Sequence, residues 1–312
     1  MRIPLGEKIP LTGARALTLL LLLVAAVPAT IMAADAPIAP NRAVVPGILR
    51  LHLREQKESS PKSGVFETRA RIAEWKVSET AIIICDMWED HPCKMAAHRV
   101  DVMAPEMNRV VSAARSLGVQ IIHAPSGGMA HYEASPQRQR VVLAPKINPP
   151  VPIEKWCYLD PSREADYPIL FTKGWEDCDD PVMPTDKDPK TSTREHPAIK
   201  IVGFDGVSDK GDEIFNFLEQ LGIRNVVLMG VHIQYCVLGR PFGIRQMVKL
   251  GKNVVLCRDL TDAMYNPRTP PYVSHARGTE LAVEHVEKYW CPSVASSDLL
   301  NVVAGSAGPV AR

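Results

Sequence analysis

Short apolar runs alternate with segments of helical period along most of the chain. Thr80–Asp86 (TAIIICD) is a continuous apolar run ending in a carboxylate, the pattern of a strand buried on both faces and hence of a parallel sheet. A helix is predicted over Pro105–Leu117, with Met107, Val110, Ala114 and Leu117 on one face and Gly118 as its stop. The strand Val119–Ala124 (VQIIHA) follows. Further along, Ala198–Val202 (AIKIV) reads as a strand with Lys200 inside it, then a helix over Asp209–Leu221, stopped at Gly222. The run Val226–Gly230 leads through a sharp turn to a helix bearing Ile244, Met247 and Val248, which ends at Gly251. Asn253–Arg258 (NVVLCR) is a strand ending at Asp259, and a helix spans Thr279–Tyr289. A short strand, Pro292–Ala295, and a helix capped by Ser296 or Ser297 close the pattern. This alternation predicts an α/β fold: a doubly wound, mostly parallel sheet flanked by helices.

Two stretches depart from the alternation. Ile48–Arg54 and Val65–Trp75 are strand-like runs around the polar turn KESSPKSG, a hairpin at the edge of the domain. From Pro125 to Pro197 the periodicity fails. Prolines, aspartates and the aromatics Trp156, Tyr158, Tyr167, Phe171 and Trp175 crowd there. Irregular stretches of that length are often functional lids, and the aromatics suggest a folded cap. The expected organisation is therefore a leader over residues 1–34, a tether and hairpin over 35–76, and a catalytic domain over 77–304 with its insertion at about 125–197.

The leader has Arg2, Lys8 and Arg15 before an apolar stretch, Ala16–Val27, with small residues and the cleavage candidates Ala33 and Ala34 after it. That is the layout of a secretory signal peptide and predicts export to a periplasm or beyond, with no membrane attachment once it is removed. Charge is balanced, Lys+Arg 36 against Asp+Glu 35, which does not favour nucleic acid or an anionic surface as partner. The seven cysteines show no C-x-x-C spacing, so neither a zinc ribbon nor a thioredoxin-type pair is indicated. Cys85 and Cys257 lie in apolar runs and read as core; Cys157 and Cys178 share the irregular region and are candidates for a bridge.

Cys236 lies six residues after Gly230, at the strand-to-helix turn. In an open α/β fold such turns build the ligand site, and a helix N-terminus there would lower a thiol pKa. Asp86 ends a strand and Lys200 lies in one. Together the three supply a nucleophile, a proton acceptor and electrostatic support for a thiolate.

That order and setting resemble the isochorismatase-like cysteine hydrolases, a superfamily that includes nicotinamidases and N-carbamoylsarcosine amidases. The resemblance is carried by AIIICDMWED, EMNRVVSAARSLGVQIIHA, IKIVGFDGVSD, GVHIQYCV, VVLCRDLTDA and CPSVASSDLL, over about residues 77–124 and 198–302. It implies Cys236 as nucleophile, Asp86 as general acid/base and Lys200 as third member, with Lys173 a competitor for that place. It also implies a cis peptide at Val231–His232 that aims the backbone N–H groups of His232 and Cys236 at an oxyanion. Trp88, His91, His123, Phe204, Gln234 and Tyr235 are the expected substrate pocket. The substrate would be a small molecule, and a homo-oligomer follows from the resemblance alone.

The chain departs from the family in several places. HAPSGGMAHYE has no Asp-x-His of the kind with which family nicotinamidases bind a metal. No cofactor is expected; His91, His98, His123 and His131 leave a metal open. Gln234 stands in place of Asp or Asn, and Pro241 should restart or kink the nucleophile helix. An amidase is favoured over isochorismatase chemistry, which does not depend on a cysteine thioester in this superfamily. The competing readings are a catalytically silent binding protein and a thiol redox protein.

Overall fold

A computed structural model describes residues 42, 46–172, 174–185 and 191–303. The predicted leader, most of the tether and Lys173 lie outside the described residues. The hairpin strands are β1 (Ile48–Glu58) and β2 (Phe66–Lys76), paired in register from Ile48 opposite Lys76 to Glu58 opposite Phe66. Next come β3 (Thr80–Cys85), α1 (Lys94–Ser116) and β4 (Gln120–Ala124). Inside the insertion lies α2 (Pro136–Val142), and after it β5 (Gly206–Val207) and α3 (Gly211–Gln220). The chain continues through β6 (Asn225–Val231), α4 (Ile244–Lys249), β7 (Asn253–Asp262), α5 (His275–Tyr289), β8 (Ser293–Val294) and β9 (Val302–Val303).

The strands form one sheet in the order β2-β1-β8-β7-β6-β3-β4-β5, with β9 also on β1. The stretch from β8 to β5 is parallel and the hairpin joins it antiparallel. Every residue of β3 and β6 is buried, because helices cover both faces. Alternate β3 residues serve opposite cores. Ala81, Ile83 and Cys85 pack with Ile214, Phe217, Ile244 and Val283, from α3, α4 and α5. Ile82 and Ile84 pack with Val100, Met107, Val110 and Ala114 of α1. Each Ile, Val, Phe or Met among them contributes about 1.5–3 kcal/mol by leaving water. From β3 the chain winds to β4 and β5 on one side, then returns to β6 and winds to β7 and β8 on the other. The switch point therefore lies between the carboxyl ends of β3 and β6, where Cys85 pairs with Gly230.

The hairpin stands at one edge of the sheet, as expected, with β2 outermost and β1 between it and β8. Three local expectations change. Ala198–Val202 is not a strand; pairing with β4 is made by Gly206 and Val207 instead. α1 begins eleven residues before Pro105, which lies inside it. Its first N–H groups find an acceptor far away, since Asp180 accepts from Lys94 N (2.8 Å) and Met95 N (2.7 Å). Finally, Cys178 is bridged to Cys93, and Cys157 is free.

Candidate active site

Asp86 follows β3 directly and is fully buried, with φ at 50°. A non-glycine residue held in the left-handed region costs about 1–3 kcal/mol, and such strain gathers at functional sites. Two contacts hold the carboxylate: Ser126 N donates to Oδ1 (2.7 Å) and Arg240 Nε donates to Oδ2 (2.9 Å). Gly230 ends the apolar run beside it at φ 108°, where a Cβ would collide with the Cys85 carbonyl. This close approach brings β6 and its following turn against Asp86. The peptide Val231–His232 is cis.

The turn Ile233–Val237 is wound as a π-helix and carries Cys236. Arg240 N bonds Cys236 O at 3.0 Å, one turn further on. After Pro241 the chain restarts as the six-residue α4 at Ile244, as the proline requires. The Cys236 thiol lies close to Asp86 and Arg240, and the charges of both act on it. Burial, and then the Asp86 charge, push its pKa well above the ordinary thiol value, against the pull of Arg240. The expectation of a lowered pKa is thus reversed. Cys236 is not at the N-terminus of a long helix, and desolvation disfavours the anion. The thiol rests protonated, with a base beside it.

Lys200 is not part of this cluster. Its side chain is exposed, and Nζ donates to Pro197 O at 2.7 Å. The strand that should have carried it inward does not form. The cation against Asp86 is Arg240, whose pKa rises: burial opposes its charge, but Asp86 and the two nearby thiols outweigh that. Sequence reading missed Arg240, although its spacing of four from Cys236 on a helical turn is a signal that could have found it.

Cys236 opens into a cavity of about 470 Å³. Trp88, His91 and Tyr235 line it, and so does His232. The insertion adds Trp156, Tyr158, Phe171, Trp175 and Asp177. His91 and His232 face each other edge to face at 5.4 Å. Burial lowers the first to about 4 and the second to about 3, so both are neutral.

Three expected pocket residues lie elsewhere. Gln234 is buried and exchanges hydrogen bonds with the Met264 backbone, donating to its carbonyl (2.5 Å) and accepting from its N–H (3.2 Å). Phe204 offers its carbonyl to Arg140 and to Gln120. His123 is fully buried between Glu195 (2.7 Å) and Asp205 (3.2 Å). Burial alone would lower its pKa, but the two carboxylates raise it to about 9.

The four histidines considered for a metal do not fit one. Both ring nitrogens of His123 are engaged by carboxylates, His91 accepts from Cys93 N through Nδ1 (3.1 Å), and His98 and His131 are exposed. Among the described residues, the convergent set of ligand atoms is Cys93, Cys178 and Asp180, and its two cysteines are joined in the disulfide.

No protein-family model matches the chain, and no curated protein matches it. Solved structures do. One is a cysteine hydrolase from Pseudomonas syringae pv. phaseolicola 1448A, at 13% identity and TM-score 0.41, covering 72% of this chain and 91% of that one. An isochorismatase from Pseudomonas putida KT2440 also has 13% identity and TM-score 0.41, covering 71% and 90%. A ribonuclease from Caenorhabditis elegans has 16% identity and TM-score 0.40, covering 75% and 85%. Their named activities differ from one another, and at this level of likeness none transfers to this chain.

Proposed function

We propose that this protein is an exported cysteine hydrolase that cleaves an amide-type C–N bond of a small molecule through a thioester on Cys236. One observation carries the reading: a buried thiol within reach of a strained, ion-paired carboxylate, at the wall of a cavity large enough for a small substrate. Asp86 takes the thiol proton as the sulfur attacks the carbonyl carbon. Arg240 steadies the anionic charge during that transfer. The tetrahedral intermediate then expels the amine, which leaves with the proton from Asp86. Water, giving a proton to the same carboxylate, attacks the thioester and frees the acid and the thiol. The Cys93–Cys178 bridge suits an oxidising compartment and so supports export.

The raised thiol pKa and the replacement of lysine by arginine favour a second reading, a silent relative that only binds ligand. Intact-mass analysis after exposure to p-nitrophenyl acetate separates the two. The hydrolase acylates Cys236 and then turns over, Cys236→Ala stays unmodified, and a panel of primary amides and N-carbamoyl compounds yields amine. Acylation no faster than in denatured protein, with no amine released, would sink the hydrolase reading.

A further inference from the structure

The cavity is lined by a carboxylate that no basic side chain among the described residues neutralises. Asp177 is 2% exposed and lines the cavity with Trp88, Trp156, Phe171, Trp175 and Tyr235. Its Oδ2 meets the Tyr235 hydroxyl, which also donates to Thr172 O. One phenolic proton cannot serve both acceptors at once. Among the described residues, no basic side chain forms an ion pair with Asp177. Arg240, the cation of the catalytic cluster, is already committed to Asp86. A carboxylate buried in an apolar site is unfavourable unless something positive pairs with it.

We propose that this cavity selects substrates bearing an alkylated ammonium group, held by the aromatic side chains and by Asp177, with the scissile carbonyl on Cys236. This rests on the hydrolase reading for the carbonyl and on the cavity alone for the cation. Aromatic faces attract a cation through their quadrupole, most strongly where water is excluded. A methylated ammonium also demands few hydrogen bonds, which suits walls of indole and phenyl groups with a single carboxylate. A carboxylate-bearing substrate is disfavoured here by repulsion from Asp177. Burial raises Asp177 to about 6; a bound cation would draw it back down.

Calorimetric titration of the Cys236→Ala protein tests the cation site without any turnover. The probes are choline and its neutral isostere 3,3-dimethylbutan-1-ol. Choline is expected to bind at least roughly tenfold more tightly than the alcohol and to lose roughly that factor in Asp177→Asn. Its affinity should also fall as the pH is lowered through about 6, where the carboxylate gains a proton. If Asp177→Asn does not fold, the pH series on the parent decides. Equal or tighter binding of the alcohol, no binding of either probe, or choline affinity indifferent to both pH and Asp177→Asn overturns the proposal. So does choline binding that appears only after Lys173→Ala, since the carboxylate would then serve this chain's own lysine. Failure here leaves p-nitrophenyl acetate acylation of Cys236 untouched, so the two readings fail separately.

Discussion

The floor of the site, Asp86 and Cys236, follows β3 and β6, whereas the outer wall of the cavity, Phe171, Thr172, Trp175 and Asp177, stands on no regular element. The floor is held by apolar burial and a continuous parallel ladder, Thr80–Cys85 against Asn225–Gly230. The wall is held by charged and covalent links to distant elements. Glu164 receives Arg245 through Nε and Nη2, both at 2.8 Å, and also His285 and Trp290. Arg99 joins Asp179 at 2.8 Å to Asp262 at 2.8 Å, and Cys178 is bridged to Cys93. The proposed chemistry therefore stands on a scaffold that burial makes rigid, while the residues proposed to choose the substrate stand on a segment secured at a few points.

The two regions should respond differently to mutation. The largest effect is expected from Asp86→Asn, which leaves the ladder in place but removes the proton acceptor. Acylation of Cys236 by p-nitrophenyl acetate should drop by about 10²–10⁴-fold, with thermal melting little changed. Equal acylation in Asp86→Asn would remove Asp86 from the mechanism. Next is Arg245→Leu. It strands the buried Glu164, whose pKa is held at about 2 by its hydrogen bonds to His285, Arg245 and Trp290 despite burial. Losing a partner of such a pair costs about 3–5 kcal/mol. Denaturant titration should show that loss, and proteolysis should cut first within the insertion; a fall below about 0.5 kcal/mol would mean the wall does not depend on this link.

A third test uses pH on the joint between the regions. His123 on β4 is clamped by Glu195 and Asp205, and its folded pKa of about 9 lies above the ordinary 6.5. It contributes stability in full below about 6.5, which is lost as the pH rises through about 9. Glu164 has the opposite sign: its depressed pKa contributes above about 4.5, and the contribution is lost as the pH falls toward about 2. Melting temperatures of wild type and His123→Gln across pH 6–10 should converge at the alkaline end, and parallel curves would refute the clamp. The smallest effect is expected from Lys200→Ala: within about 0.5 kcal/mol of wild type and with unaltered acylation. A marked loss of acylation would return the lysine to the catalytic set.

The sequence alone determined most of the sheet and the two residues of the proposed chemistry that follow β3 and β6. Thr80–Asp86 and Val226–Gly230 are legible because a strand buried on both faces must be mostly apolar along its length, and such a run is visible without any partner. Asp86 and Cys236 follow from those runs, since the residues just after parallel strands gather at one edge. Tertiary structure alone decided which cation joins them, where α1 begins, which cysteine pairs with Cys178 and that Asp177 faces the cavity. The start of α1 depends on Asp180, some 85 residues along the chain. Lys200 sits in a plausible apolar run, but β4 takes Gly206 and Val207 as partners and leaves it at the surface. Burial writes a period into the local sequence, whereas a hydrogen bond, an ion pair or a disulfide between distant residues writes none.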